Sequence, residues 1–128
     1  MRRQYHLRKS ERGLLAWDVH RLIDLAKAVN PQAVALIDIA ELDENFWFDN
    51  GAPQPTCRNV INHMQLVEAA DLAYPIILSA DGKVMDGMHR VAKALLLEQS
   101  HIMAIRFCTT PEPDLIGINP DDLDYSEV

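Results

Sequence analysis

The sequence predicts an α+β fold in which a small mixed β-sheet is packed by helices. Stretches with helical periodicity alternate with apolar runs of strand length, and two of these runs are joined by a short turn typical of a hairpin. The composition, with 48% hydrophobic and 24% charged residues, is that of a globular protein. The length of 128 residues indicates a single domain, residues 1–128, that buries about two-thirds of its unfolded surface without metal or disulfide.

The first half of the chain predicts one helix, one strand and one long loop. Residues 17–30 have the apolar spacing of a helix, which ends where Asn30 meets Pro31. Residues 33–39, AVALIDI, are short and rich in β-forming residues, so they predict a strand. Residues 41–56, ELDENFWFDNGAPQPT, predict a loop that is long enough to carry function. The apolar face of the helix consists of Val19, Leu22, Ile23, Ala26 and Val29.

The second half predicts a helix, a hairpin, a second helix and a last strand. Thr56 is a favourable N-cap for a helix that runs to about residue 70. Residues 75–79 and 83–86 predict the hairpin, with Gly82 in a left-handed conformation at its turn. Residues 88–99 predict the most regular helix, and residues 102–107 the last strand. The side chains expected to be buried are Val60, Ile61, Met64 and Val67 on the first of these helices and Met88, Val91, Ala92, Leu95 and Leu96 on the second.

The two ends of the chain carry opposite charge. Residues 1–13 hold five of the twelve Lys and Arg residues, whereas residues 109–128 hold six acidic residues and no basic one. We expect a solvated basic arm and a solvated, turn-rich acidic tail, and the arm could still touch an anion locally. The formal net charge of −7 repels nucleic-acid phosphates, so direct DNA binding is not expected.

The sequence is typical of a cytoplasmic protein with no membrane partner. Its apolar runs are far shorter than the ~20 residues that a membrane-spanning helix needs. The basic N-terminus is not followed by an apolar core, so no secretory signal is expected. Cys57 and Cys108 form no CxxC pair, which favours a reducing compartment.

The segment KVMDGMHRVAKALLL, residues 83–97, predicts an anion site where a strand meets a helix. A helix N-terminus offers unpaired amides and partial positive charge, and Gly87 lets a ligand approach the backbone. We expect the turn from Gly87 through Met88 to bind phosphate oxygens, helped by the side chains of His89 and Arg90. Asp86 would hold Mg²⁺ or act as a base. The alternative is that Asp86 only caps the helix while His89 and Arg90 face water.

Two further segments leave alternatives open. The aromatic and acidic residues after Glu41 predict either a lid over a ligand or a plug that packs on the core. Arg58, at the start of the Thr56-capped helix, could add an anion contact. Cys57 beside it is either a reactive thiol or a quiet, half-buried one.

Residues 75–97, PIILSADGKVMDGMHRVAKALLL, resemble the signature half of the ParB/sulfiredoxin superfamily, the ParB-like nuclease-domain fold. In that superfamily a strand hairpin leads to a Gly-x-[His/Arg]-Arg turn and a helix. AVALIDIAEL, which begins at Ala33, resembles the opening strand and its acidic turn, so the resemblance covers about residues 33–107. The whole chain is similar to a bacterial branch labelled ParB-like.

The resemblance implies a site for nucleotide phosphates, with Mg²⁺ and ATP, ADP or CTP as cofactors. A free-serine kinase of this fold carries Asp-Gly-His-His-Arg and a catalytic Glu after its first strand. The resemblance to this kinase implies that Asp86 and Glu41 are catalytic, with Glu44 as the second candidate for the catalytic Glu. It also implies phosphoryl transfer to a small hydroxyl compound. Met88 stands where sulfiredoxins have their nucleophilic Cys, so sulfiredoxin activity is not expected. The alternative is a non-enzymatic partner-binding or partition-like regulatory module that uses the arm, the tail and the aromatic loop.

Overall fold

The structure is a computed structural model that describes residues 4–48 and 53–123. Within them the protein has an α+β architecture with two small sheets and three α-helices. The helices are α1 (Val19–Ala26), α2 (Cys57–Ala69) and α3 (Met88–Leu96). The strands are β1 (Tyr5–Ser10), β2 (Gly13–Asp18), β3 (Gln32–Ala35), β4 (Ile76–Leu78), β5 (Val84–Asp86), β6 (His101–Arg106) and β7 (Leu115–Ile116). Short 3₁₀ turns cover Leu36–Asp38, Ala40–Asp43 and Pro120–Asp122.

The first sheet, in the order β1-β2-β7, is built from segments that we expected to be solvated. β1 pairs antiparallel with β2 from Tyr5 opposite Asp18 to Ser10 opposite Gly13, and β7 pairs with the other edge of β2. These parts of the arm and tail are therefore strands rather than free ends, although both residues of β7 are exposed. Leu15 and Trp17 of β2 are buried, and pairing with β1 and β7 provides hydrogen bonds for the backbone on both edges of β2.

The boundary between β2 and α1 also differs from the prediction. Trp17 belongs to the strand, and the helix begins two residues later because the side chain of Asp18 accepts a hydrogen bond from the amide of His20 (2.9 Å). An N-cap carboxylate of this kind fixes the first turn of a helix. The helix predicted over residues 17–30 is therefore shorter at both ends: it begins after the Asp18 cap and ends at Ala26, before the predicted stop at Asn30. Ile23, predicted on its apolar face, is 40% exposed.

The second sheet is mixed, as predicted, with the order β3-β6-β4-β5. β4 runs parallel to β6 and antiparallel to β5, and Gly82 in the hairpin turn has the expected positive φ of 82°. The strand expected over residues 33–39 is shorter, because β3 ends at Ala35 and the chain turns into a 3₁₀ helix.

Two apolar clusters cover the two faces of this sheet. Ile76 and Leu78 of β4 point into a cluster beneath α3, whereas Ile77 points into a cluster shared with Trp17 and Leu22. Val84 and Met85 of β5 divide in the same way. Because neighbouring side chains on a strand point to opposite faces, a strand covered on both sides needs a continuous apolar run. This double coverage fixes β4, β5 and the junction that follows them.

The predicted buried faces of α2 and α3 are only partly correct. On α2 Val67 is buried, but Val60, Ile61 and Met64 are exposed because α2 packs mainly against α3 rather than on a sheet. On α3 the buried residues are Met88, Val91 and Ala94, whereas Leu95 and Leu96 are exposed. A small residue, Ala94, thus faces the core where the pattern favoured leucines.

We predict that Gly87→Ala destabilises the fold more than Gly82→Ala. Both glycines have positive φ, which costs an L-residue about 1–2 kcal/mol. At Gly87 an added Cβ would also lie 2.7 Å from Cγ2 of buried Ile76, whereas at Gly82 the nearest atom is Cζ of Arg106 at 3.8 Å. We expect losses in the free energy of unfolding of about 3 kcal/mol and about 1 kcal/mol in urea titrations. Equal losses would contradict the close contact at Gly87.

Candidate functional site

A cleft of about 620 Å³ lies between β1, β5, the start of α3 and the segment that follows Glu41. We call it the junction cleft. It brings together most of the residues that the sequence singled out, although Glu41 lies more than forty positions before the others. The predicted residues that line it are Glu41, Asp86, Gly87, Met88 and His89. Arg58 and Arg90 do not line it.

The amide groups at the start of α3 are available to a ligand. Gly87 is the N-cap in the left-handed conformation, and no side chain caps the helix. The first hydrogen bond of the helix runs from the Val91 amide to the Gly87 carbonyl (3.0 Å). The amides of Met88, His89 and Arg90 come before this bond and therefore have no partner within the helix. The interpretation of Asp86 as the cap is therefore wrong.

Glu41 is the buried acid of the cleft. It lies in the 3₁₀ turn after β3, is only 6% exposed, and accepts a hydrogen bond on Oε2 from the amide of Val84. Its Oε1 is buried and has no hydrogen-bond partner within residues 4–48 and 53–123. A buried unpaired carboxylate oxygen is costly, so this atom calls for a donor from a ligand or from water.

Arg90 is held on the opposite side of the junction. Its Nη2 donates to Oδ2 of Asp86 (2.9 Å), and its Nη1 donates to the carbonyls of Tyr74 (3.0 Å) and Pro75 (2.9 Å). The guanidinium thereby joins the end of β5, the first turn of α3 and the chain entering β4. The structure places it as a brace behind the cleft rather than as a cation within it.

His89 belongs to an aromatic stack that the sequence did not reveal. Its Nε2 lies 2.8 Å from Nδ1 of His63 on α2. The indole of Trp47 stacks on both imidazoles, with ring centroids 4.6 Å apart for His63 and 5.0 Å apart for His89. Burial lowers the pKa of both histidines; the neighbouring His63 lowers the pKa of His89 further and Asp86 opposes this. The pair is therefore neutral near pH 7. No spacing in the sequence relates His63 to His89, because the contact arises from the packing of α2 on α3.

Trp47 decides between the two interpretations of the aromatic loop. Its ring packs on the histidine pair and against the core cluster beneath α3, as the plug interpretation predicts. Its Nε1, however, is buried and has no hydrogen-bond partner among the described residues, and both Trp47 and Phe46 line the cleft. Trp47 thus packs as a plug and forms one wall of the cleft, with its indole N–H available as a donor. Residues 49–52 of the loop lie outside the described residues.

The cations of the cleft come from segments that the sequence analysis did not rank. Arg8 and Lys9 of β1 and Lys83 beside β5 line it, together with the acids Glu44 and Asp81. Arg8 lies 5.6 Å from the ring centroid of Trp17 and 3.8 Å from Asp81. Arg8 places the basic arm beside the cleft, and the anion contact expected of this arm stays a prediction. The adjacent basic residues 8 and 9 are visible in the sequence, but only the pairing of β1 with β2 shows that they lie beside the cleft.

The acids of the cleft fit Mg²⁺ only as an ion carried on ligand phosphates. Among residues 4–48 and 53–123, no group of three or more His, Cys, Asp or Glu side chains is arranged to hold a metal. Magnesium needs fewer, since it commonly takes one or two carboxylates together with substrate phosphates. Glu41 Oε1 and Asp86 are the candidates, and of these Glu41 has an oxygen without a partner.

Comparisons of the chain with protein-family models, with curated proteins and with solved structures find no match. The resemblance of residues 75–97 to the ParB/sulfiredoxin superfamily therefore remains a prediction. In the part of the chain that the structure describes, no helix is long and apolar enough to cross a bilayer. Cys57 and Cys108 are both exposed and unpaired, so the half-buried thiol expected at Cys57 is wrong.

We predict that Arg90→Met lowers the free energy of unfolding by about 2–4 kcal/mol, because it leaves Asp86 and two carbonyls without their partner. Methionine keeps the length and the helix propensity of arginine. Arg58→Met, at an exposed position of α2, is the matched control and should change stability by less than about 0.5 kcal/mol. If Arg90→Met were as stable as this control but lost ligand binding, the guanidinium would be a ligand contact after all.

We predict that His6 makes the protein less stable in mild acid. Burial and the nearby Arg8 lower the pKa of His6 to about 4, so the unfolded chain takes up the proton first as the pH falls. The stabilisation is complete above pH 6.5 and declines toward pH 4, by about 3 kcal/mol. His6→Phe should remove this component from unfolding curves measured across that range. His101→Gln, at an exposed position, serves as control and should keep the slope; a loss in both would contradict the assignment.

Proposed function

We propose that the protein binds a phosphate-bearing small molecule, with ATP, ADP or CTP as first candidates, in the junction cleft. We further propose that it transfers a phosphoryl group to a small hydroxyl compound. The observation that carries the proposal is the meeting of two features in one cleft. The unpaired amides of α3 suit an anion, and the buried, unpartnered Oε1 of Glu41 suits a hydroxyl donor.

The phosphates are assigned to the amides of Met88 and His89 and to the side chains of Arg8 and Lys83. This replaces Arg90, which does not line the cleft and whose donors make contacts of 2.9–3.0 Å. Arg8 lines the cleft and its own contacts are longer, 3.4 Å from Nη2 to Oγ of Ser79 and 3.8 Å from Nη1 to Oδ1 of Asp81. Helix amides hold phosphate oxygens without a formal charge, and the two cations neutralise what remains. The cleft volume of about 620 Å³ lies in the range of small-molecule sites.

Glu41 is assigned as the base. The acceptor hydroxyl gives its proton to Oε1, its oxygen forms a bond to the terminal phosphorus, and the bond from that phosphorus to the bridging oxygen breaks, so that ATP or CTP leaves as the nucleoside diphosphate and ADP as the nucleoside monophosphate. The charge that develops on the leaving group is stabilised by the α3 amides. Asp86 is the weaker candidate because Arg90 already occupies its Oδ2. When bound with the phosphates, Mg²⁺ would supply further charge neutralisation next to these two carboxylates.

The partner-binding module remains the second candidate, but the structure favours it less. Its supposed contact surfaces were the basic arm, the acidic tail and the aromatic loop. β1 and β7 are strands of the first sheet, and Trp47 is packed on the histidine pair. The exposed, unpaired cysteines are consistent with the cytoplasmic location that we propose, where nucleotides are plentiful.

We predict that isothermal titration detects binding of at least one of ATP, ADP and CTP with Mg²⁺, and of inorganic pyrophosphate. Arg8→Ala and Lys83→Ala should each weaken binding about 5- to 10-fold, because each removes a charge-assisted contact. Arg58→Ala removes an equal charge outside the cleft and should stay within about twofold. No heat with any ligand, or equal losses in all three variants, would overturn the binding proposal.

The same ligands separate binding from catalysis. Glu41→Gln keeps the side-chain volume and an acceptor for the Val84 amide, so nucleotide affinity should change by less than about threefold. The rate of phosphoryl transfer to the hydroxyl compound, measured by the release of the nucleotide product, should fall about 100-fold or more, as expected for loss of a general base. Unchanged transfer in Glu41→Gln would remove Glu41 from this role while leaving the binding proposal intact.

A further inference from the structure

A second cleft, of about 720 Å³, lies on the other side of the junction. We call it the apolar cleft. It runs between α1 and α2 over β4 and β6. Its walls are mainly aliphatic, formed by Ile23, Ala26, Leu66, Ala69, Ile77 and Ile105. Ile23 and Leu66 are 40% and 52% exposed, so apolar surface faces open space on both sides.

Polar groups meet this cleft at the junction. Asp86, Gly87, His89 and Arg90 line it, and the first three of them also line the junction cleft. Two exposed charged residues line it as well, but Lys27 is paired with Asp24 and Asp71 accepts a hydrogen bond from the Ala73 amide. Arg90 is occupied by Tyr74, Pro75 and Oδ2 of Asp86, so it has little to offer a ligand anion. Among the described residues the side chain of Asp86 is hydrogen-bonded only to Arg90, through Oδ2, so Oδ1 has no partner in this part of the chain.

We propose that the apolar cleft is a second binding site, which takes a compact uncharged molecule with an aliphatic or aromatic body and a terminal hydroxyl. The body would cover Leu66, Ile77 and Ile105, and the hydroxyl would donate to Asp86. Small-molecule sites commonly combine apolar walls with a few polar groups that fix orientation, and the volume lies within their range. Binding here does not require the proposed phosphate site to exist.

The dimensions favour a small molecule over a partner helix. The part of α1 that lines the cleft runs from Ile23 to Ala26, and the part of α2 runs from Leu66 to Ala69, about 5 Å each. A helix docked through anchors at i, i+3, i+4 and i+7 needs about 11 Å of wall on both sides. The cleft is therefore too short on the α2 side for that mode of recognition.

Two positions on α2 allow a matched test. Leu66 lines the apolar cleft and Ile61 does not, yet their exposures are nearly equal at 52% and 51%. Leu66→Asn and Ile61→Asn therefore remove similar exposed apolar surface from one helix. The probes are benzyl alcohol, toluene and benzoate, each titrated into ¹⁵N-labelled protein and followed through amide shifts.

We predict saturable shifts with benzyl alcohol at residues around the cleft, including Ala69 and Ile105. Toluene lacks the donor and should bind about fivefold more weakly, and benzoate more weakly still because its carboxylate meets Asp86. Leu66→Asn should weaken benzyl alcohol binding about 5- to 10-fold, whereas Ile61→Asn should leave it within about twofold.

Other results would overturn the proposal. Shifts that do not saturate, or equal losses in both variants, would mean non-specific contact with exposed apolar surface. Tighter binding of benzoate would identify an anion site at Arg90 instead. Sedimentation of the unliganded protein tests whether a second copy of the chain fills the cleft. A dimer that is dissociated by Leu66→Asn but not by Ile61→Asn would show this. Pyrophosphate titrated separately reports on the junction cleft, so failure of either proposal is seen independently.

Discussion

The guanidinium of Arg90 is the interaction on which the candidate site depends. It binds Asp86 and the carbonyls of Tyr74 and Pro75, and so joins the end of β5, the start of α3 and the entry to β4. These segments meet at Gly87, where an added Cβ would lie 2.9 Å from Nη2 of Arg90 as well as against Ile76. A side chain has no room there, so the turn is fixed by both a missing Cβ and a multiply bonded cation.

This brace has a consequence for the chemistry of the cleft. With Arg90 behind the turn, the proposed phosphate site would use the amides at the start of α3 without a local guanidinium, and its cations would be Arg8 and Lys83, which line the cleft. The brace also occupies one oxygen of Asp86, whereas Glu41 retains a buried oxygen with no partner. The division of roles between the two carboxylates therefore follows from which of them is already satisfied.

The sequence predicts the local features of this protein better than its long-range contacts. The hairpin at Gly82, the cap at Thr56 and the strand-to-helix junction are correct because each depends on a few neighbouring residues. The pairing of β1 with β2 was missed because a strand rich in Arg and Lys has no apolar alternation to mark it. The exposure of Leu95 and Leu96 was missed because periodicity describes a face and not what covers it.

The same reasoning explains which parts of the site were found. Asp86, Gly87 and His89 were predictable because helix amides and a glycine lie together in the chain. Arg90 was expected to bind phosphate oxygens, but it lies outside the junction cleft because its direction depends on carbonyls more than ten residues away. His63 reaches His89 only through the packing of α2 on α3, and Trp47 covers both only because the loop folds back. Contacts of this kind have no signature in a single sequence.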